Sequence, residues 1–159
     1  VKNYQGISLG LCNQKGGAAK TTTVAALAAI YAKRGLKILA VDNDPQGNLS
    51  LQFGIDAINE GTNGTISDLY RDTSKAKTSV IATRYETIDI IPASVEAAKT
   101  EILLPTRIGT DLILRTALEP LRVAHDLILL DSPPNLGKFV VNVINASDYF
   151  MIPVEARGR

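Results

Sequence analysis

Asn13-Gln14-Lys15-Gly16-Gly17-Ala18-Ala19-Lys20-Thr21-Thr22-Thr23 is the stretch whose reading decides the fold. It stands between an apolar run, Ile7–Asn13 (ISLGLCN), and a helical stretch. Strand, glycine loop and helix in that order are the setting a phosphate-binding loop requires. Glycines let backbone N–H groups converge on an anion, the helix N-terminus adds the positive end of its dipole, and Lys20 adds a point charge. Thr21 follows at once, where a hydroxyl can ligate a Mg²⁺ that bridges two phosphates. The alternative is a glycine turn opening a helix that happens to carry lysines.

The general pattern G-x-x-x-x-G-K-[ST] is not met, because Gln14 and Ala19 occupy its two glycine positions. A variant with a second lysine ahead of the glycines, K-G-G-x-G-K-[ST], is matched by Lys15, Gly16, Gly17, Lys20 and Thr21. Ala19 replaces its last glycine. If that position demands a positive φ, a Cβ there costs on the order of 1 kcal/mol. If it demands close approach to a phosphate, the methyl weakens binding further.

Outward from the loop, short apolar runs alternate with helical stretches. Lys20–Arg34 is the clearest helix, with Val24, Leu27, Ala28 and Tyr31 at helical spacing and Gly35 placed to end it. Further strands are expected at Lys37–Asp42 (KILAVD), Ile88–Ile91, Leu127–Asp131 (LILLD) and Tyr149–Val154, the last with Pro153 marking an end or an edge. Helices are expected at about Asn48–Phe53, Thr65–Arg71, Val95–Leu104, Asp111–Leu118 and Gly137–Ala146. Asn59–Thr78 is the loosest stretch and reads as an exposed connection. Near-continuous apolar strands followed by helices imply an α/β, doubly wound, mainly parallel sheet of about five strands flanked by helices. There is no internal repeat.

Two acidic turns fall on the same sheet edge as the glycine loop, at the strand ends Asp42-Asn43-Asp44-Pro45-Gln46-Gly47-Asn48 and Asp131-Ser132-Pro133-Pro134. Open parallel sheets bind ligands at that edge. Mg²⁺ keeps several waters, so a carboxylate such as Asp131 suits it, while Asp44 can orient an attacking water. Either aspartate alone reads equally well as a turn or cap residue; three features on one edge do not.

Composition narrows the alternatives. The 159 residues suffice for one domain, residues 1–159, and carry 17 Lys+Arg against 16 Asp+Glu, so charge alone marks no polybasic nucleic-acid module. One cysteine, Cys12, and one histidine, His125, exclude a disulfide framework and a cysteine-based zinc site within the chain. Cys12 reads as a small buried side chain, and His125 as a surface or capping residue. Arg107, Arg115 and Arg122 recur at near-helical spacing and read as a solvated face, with DNA contact as the alternative; Lys138 opens a helix, exposed or held by a contact. No run approaches the ~18 apolar residues of a membrane span, and no leader pattern opens the chain, so the cytoplasm is the expected compartment. A start at Val1 points to an edited, alternatively initiated or partial sequence.

Taken together, NQKGGxxKTTT, AVDNDPQGNLS, LILLDSPP and DYFMIPVEA resemble the ParA/Soj branch of the ParA–MinD ATPases, in order from about Ile7 to Ala156. The resemblance implies a P-loop NTPase fold, ATP and Mg²⁺ as cofactors, and ATP hydrolysis that partitions DNA. Lys15 would reach across an ATP-bound homodimer to the partner's nucleotide, and Asp44 would position the hydrolytic water. Gly16, Gly17, Ala18, Ala19, Lys20, Thr21 and Thr22 would cradle the phosphates, with Thr21 and Asp131 on the metal and Asp42 in the segment that senses the γ-phosphate. A ParB-like stimulating partner and DNA bound without sequence preference are implied, with association to the nucleoid; a membrane is not. Proteins of this kind continue past the expected fifth strand, so the sheet reads as incomplete. The rival readings are a truncated, non-catalytic remnant able to hold phosphate, and a MinD-like positioning ATPase, which would need an amphipathic membrane helix.

Overall fold

Apolar runs and the turns that punctuate them set the element order in the structure, a computed structural model that describes residues 5–56, 64–104 and 108–155. The strands are β1 (Ile7–Leu11), β2 (Ile38–Asp42), β3 (Ile81–Ala82), β4 (Ile88–Ile91), β5 (Leu127–Asp131) and β6 (Tyr149–Met151). The helices are α1 (Lys20–Ala32), α2 (Asn48–Gln52), α3 (Ile66–Arg71), α4 (Glu96–Leu103), α5 (Ile113–Leu118) and α6 (Lys138–Ala146). The sheet runs β3-β4-β2-β5-β1-β6 and is parallel except for β3, which pairs antiparallel with β4.

Every residue of β2 and β5 is buried, as befits interior strands covered on both faces. Alternate residues separate into two cores. Leu39, Val41, Ile128 and Leu130 face Tyr70, Leu114, Phe139 and Val143. Ile38, Ala40, Leu127 and Leu129 face Val24, Ala28, Leu49 and Phe53. Each fully buried leucine contributes about 1.5–3 kcal/mol, and the two cores take side chains of different shape, so packing on both faces holds the register. Register therefore sets the functional edge: Asp42 lies opposite Asp131, and Leu11, which leads into the glycine loop, lies on the other side of Asp131.

The expected α/β architecture is present, with corrections. The sheet has six strands among the described residues, not five; β3 has only two residues, one half-buried and one exposed, and so carries no readable period. Residues 111–118 are not one helix: a 3-10 turn, Thr110–Leu112, precedes α5. The stretch 59–78 is not simply an exposed connection, because α3 within it buries Ile66, Ser67, Leu69 and Tyr70 and starts with a reciprocal Thr65–Asp68 capping box. Its residues 59–63, like Arg107, lie outside the described residues.

Of the two readings of His125, surface or capping, the second holds: the ring is buried, with Nδ1 on the Leu121 carbonyl at the end of a 3-10 turn (3.0 Å) and Nε2 on Asp89 (3.1 Å). Arg122 is not on a solvated face: it donates to Asp148 (2.6 Å) and to the Gly6 carbonyl (2.8 Å), fastening the start of β6 beside β1. Arg115 is exposed on α5. Lys138 is held by Asp111 at 2.6 Å, which offsets its unfavourable place at a helix N-terminus. Cys12 sits just beyond β1, and burial pushes its thiol up, as expected of an inert side chain. Among the described residues, no helix is long and apolar enough to cross a membrane.

Candidate functional site

The glycine loop turns directly from β1 into α1. Gly17 has φ 76°, and Ala19, the residue before α1, has φ 58° and ψ 22°; Ala19 is the one non-glycine among the described residues with positive φ. The position does demand a left-handed backbone, and alanine occupies it under strain. No side chain caps α1 and no acidic residue occupies its first turn, so its first N–H groups are left for an anion. A Cβ on Gly16 or Gly17 would meet nothing within 4 Å, and both residues border a cavity of about 600 Å³.

Gly16 to Thr22 form one wall of that cavity; Asp44, Gln46, Asn48, Gln52 and Pro134 form the rest. The Lys20 ammonium is nearly buried and donates to the Asn13 carbonyl at 2.9 Å. Thr21 donates its hydroxyl to Asp131 Oδ2 at 2.6 Å, leaving the Thr21 lone pairs for a cation. Asp131 is fully buried behind Thr21, and its other oxygen accepts the Ser132 N–H at 3.0 Å. Burial pushes the Asp131 carboxyl up to about 6; the Thr21 hydrogen bond works against this and the nearby Asp44 adds to it.

Asp44 borders the cavity with Oδ1 on the Gln46 N–H at 3.0 Å. Asp42 does not border it. Its carboxylate is fully buried, taking the Ser50 N–H at 2.8 Å, the Ser50 hydroxyl at 2.7 Å and the Asp44 N–H at 3.3 Å. Ser50 in turn accepts the Ala93 N–H at 3.0 Å, so Asp42 fixes the turn that carries Asp44 to the start of α2 and to the end of β4. Burial pushes the Asp42 carboxyl up to about 7, against the two Ser50 bonds, with Asp131 adding repulsion.

Lys15 does not border the cavity either; its ammonium pairs with Glu155 beyond β6. Two more bonds tie the loop to that segment, from Cys12 N–H to the Met151 carbonyl (3.1 Å) and from the Asn13 side chain to the Pro153 carbonyl (2.6 Å). The structure thus gathers Gly16, Gly17, Ala18, Ala19, Lys20, Thr21, Thr22 and Asp44 around one space, with Asp131 behind Thr21 and with Asp42 and Lys15 outside. Gln46, Asn48 and Pro134 belong to the two acidic turns read from sequence but were given no role there, and Gln52 was not singled out; its place four residues after Asn48 on one face of α2 is the signal available for it.

A family model described as an AAA domain matches residues 7–158. The chain is 37% identical to the sporulation initiation inhibitor protein Soj of Bacillus subtilis over 147 residues, 92% of this chain and 57% of Soj. It is 34% identical to the chromosome partitioning protein ParA of Myxococcus xanthus over 145 residues, 91% of this chain and 50% of that protein. Among solved structures, cobyrinic acid a,c-diamide synthase from Mycobacterium smegmatis with a bound ATP analogue and magnesium superposes with a TM-score of 0.87 at 32% identity, over 94% of this chain and 60% of that one. The chain spans about half the length of the curated relatives it matches.

Proposed function

The chain belongs to the AAA domain family, with Soj and ParA among its relatives, and from that premise we propose that it is a partition-type ATPase. In this reading ATP enters the cavity with Mg²⁺, two chains close face to face, the pair holds DNA without sequence preference, and slow hydrolysis resets it. One observation carries the reading: Lys20 and Thr21 after β1, Asp44 after β2 and Asp131 at the end of β5 meet beside the uncapped start of α1.

The donor set fits magnesium. Thr21 and Asp131 offer oxygen alone, and the described residues hold no group of three or more His, Cys, Asp or Glu able to hold a metal unaided. Such a site suits a hard ion that takes its remaining ligands from water and phosphate. When bound, Mg²⁺ neutralises charge on the phosphates. Asp131 orients the Thr21 hydroxyl, Lys20 supplies a buried positive charge, and Asp44 orients a water at the mouth of the loop. The solved neighbour with an ATP analogue and magnesium supports this assignment.

Equilibrium binding and sedimentation with ATP, ADP and Mg²⁺ test the proposal. Mg²⁺-dependent binding of both nucleotides, with pairing driven by ATP, is the expected result; no binding of either overturns it. Binding without any turnover, including with DNA and a ParB-like partner present, would favour the non-catalytic reading. Lys15→Ala should spare ATP binding more than pairing or hydrolysis, and full ATP-dependent pairing in that variant would remove Lys15 from the trans role.

A further inference from the structure

A second cavity, of about 510 Å³, lies over the other end of the sheet, between α1, the end of α2 and the hairpin joining β3 to β4. Its apolar part is formed by Ala25, Ala29 and Ala32 on one face of α1, with the buried Phe53 and Ile88. The exposed Lys33, Arg84 and Glu86 also border it, two cations against one carboxylate. The Arg84 guanidinium lies 5.1 Å from the Tyr85 ring centroid and donates to the Tyr85 hydroxyl at 3.0 Å. The Phe53 ring meets Tyr85 edge-on at 6.3 Å. The cavity thus has an aromatic wall that carries an oriented cation.

The volume falls in the range of small-molecule sites, roughly 300–1,000 Å³. Gln52, the last residue of the five-residue α2, borders both this cavity and the phosphate cavity, and Asn48 at the helix start borders the latter. That helix starts at the left-handed Gly47, three residues beyond Asp44.

We propose that this cavity is an effector site for a small molecule with a flat apolar body and one anionic group, and that its occupancy is transmitted through α2 to the phosphate cavity. The site stands on its own geometry; the transmission rests on the nucleotide reading above. Such a ligand lays its apolar body on the alanine face and Phe53 and turns its anion toward Lys33 and Arg84, away from Glu86.

The anionic dye 8-anilinonaphthalene-1-sulfonate is a suitable stand-in, titrated by fluorescence into the whole chain. One saturable site is expected, weakened about tenfold or more in Ala29→Trp, which fills the cavity from an exposed helix position, and in Arg84→Glu. Both variants should keep the parent's thermal midpoint. Adding ADP with Mg²⁺ should change the dye's affinity about fivefold or more, and the dye should change ADP affinity by the same factor. Dye binding untouched by both substitutions, or abolished by Phe150→Lys on β6 instead, overturns the site. Dye affinity equal with and without nucleotide overturns the effector role. A chain that binds the dye as described but no nucleotide leaves the site standing and removes both the effector role and the ATPase reading.

Discussion

Ala19 shows how one residue can depart from a motif without losing its geometry. Its φ of 58° costs on the order of 1 kcal/mol, which glycine would relieve. Glycine would also loosen the unfolded chain by about 0.4–1 kcal/mol. The two terms nearly cancel, so Ala19→Gly should move the thermal midpoint by less than about 3 °C, whereas glycine at a right-handed helical position costs about 1 kcal/mol. A clear destabilisation in calorimetry would contradict the left-handed assignment. The aspartates make a prediction of opposite character. Burial pushes the Asp42 carboxyl up to about 7 and the Asp131 carboxyl up to about 6, above the ordinary carboxylate pKa near 3.9 of an unfolded chain. The folded chain then binds protons more tightly than the unfolded one, so ligand-free stability falls as pH rises from about 4 to about 7. Urea midpoints measured across that window should fall in the parent and fall less in Asp42→Asn, which keeps an acceptor for Ser50 without the charge. Equal slopes in both would show that Asp42 does not titrate there.

At the scale of elements, α6 is held by a buried amide. Asn142 accepts the Leu114 N–H (3.1 Å) and donates to the carbonyls of Thr110 (2.8 Å) and Lys138 (3.0 Å), joining α6 to α5 and to the turn before it. Asn142→Ala leaves those groups unpaired, at a cost of about 2–4 kcal/mol. The midpoint should drop by roughly 5–15 °C, and a drop under 2 °C would mean that water replaces the amide. The same scale shows what the sequence could disclose. Interior parallel strands are buried on both faces, so β1, β2, β4 and β5 stand out as apolar runs, and the glycine loop is legible because its parts are contiguous. A two-residue edge strand such as β3 has no such pattern. Pairings between distant charges, Lys15 with Glu155 and Lys138 with Asp111, leave no local trace, and neither does the burial of His125 between α5's following turn and Asp89. Asp42 was legible as a strand-end aspartate; its role as an anchor for Ser50 depends on a bond eight residues away, which only the folded turn creates.

At the scale of the whole sheet, β6 is the outer strand among the described residues, with Tyr149 64% exposed and Phe150 57%. Unpaired apolar edges recruit further strands. This 159-residue chain should therefore associate with rising concentration even without nucleotide, and Phe150→Lys should suppress the effect in sedimentation velocity. A parent chain that stays monomeric at high concentration would contradict this. The strand order has another consequence, for the timing of synthesis. Both neighbours of β1 come late in the chain: Ile7 aligns with Leu127 on β5, and Leu9 with Tyr149 on β6. The glycine loop is thus made well before both of the strands that flank β1. Until β5 has emerged, the Thr21 hydroxyl has no Asp131 to donate to, so a nascent chain carries the loop without the carboxylate that orients it.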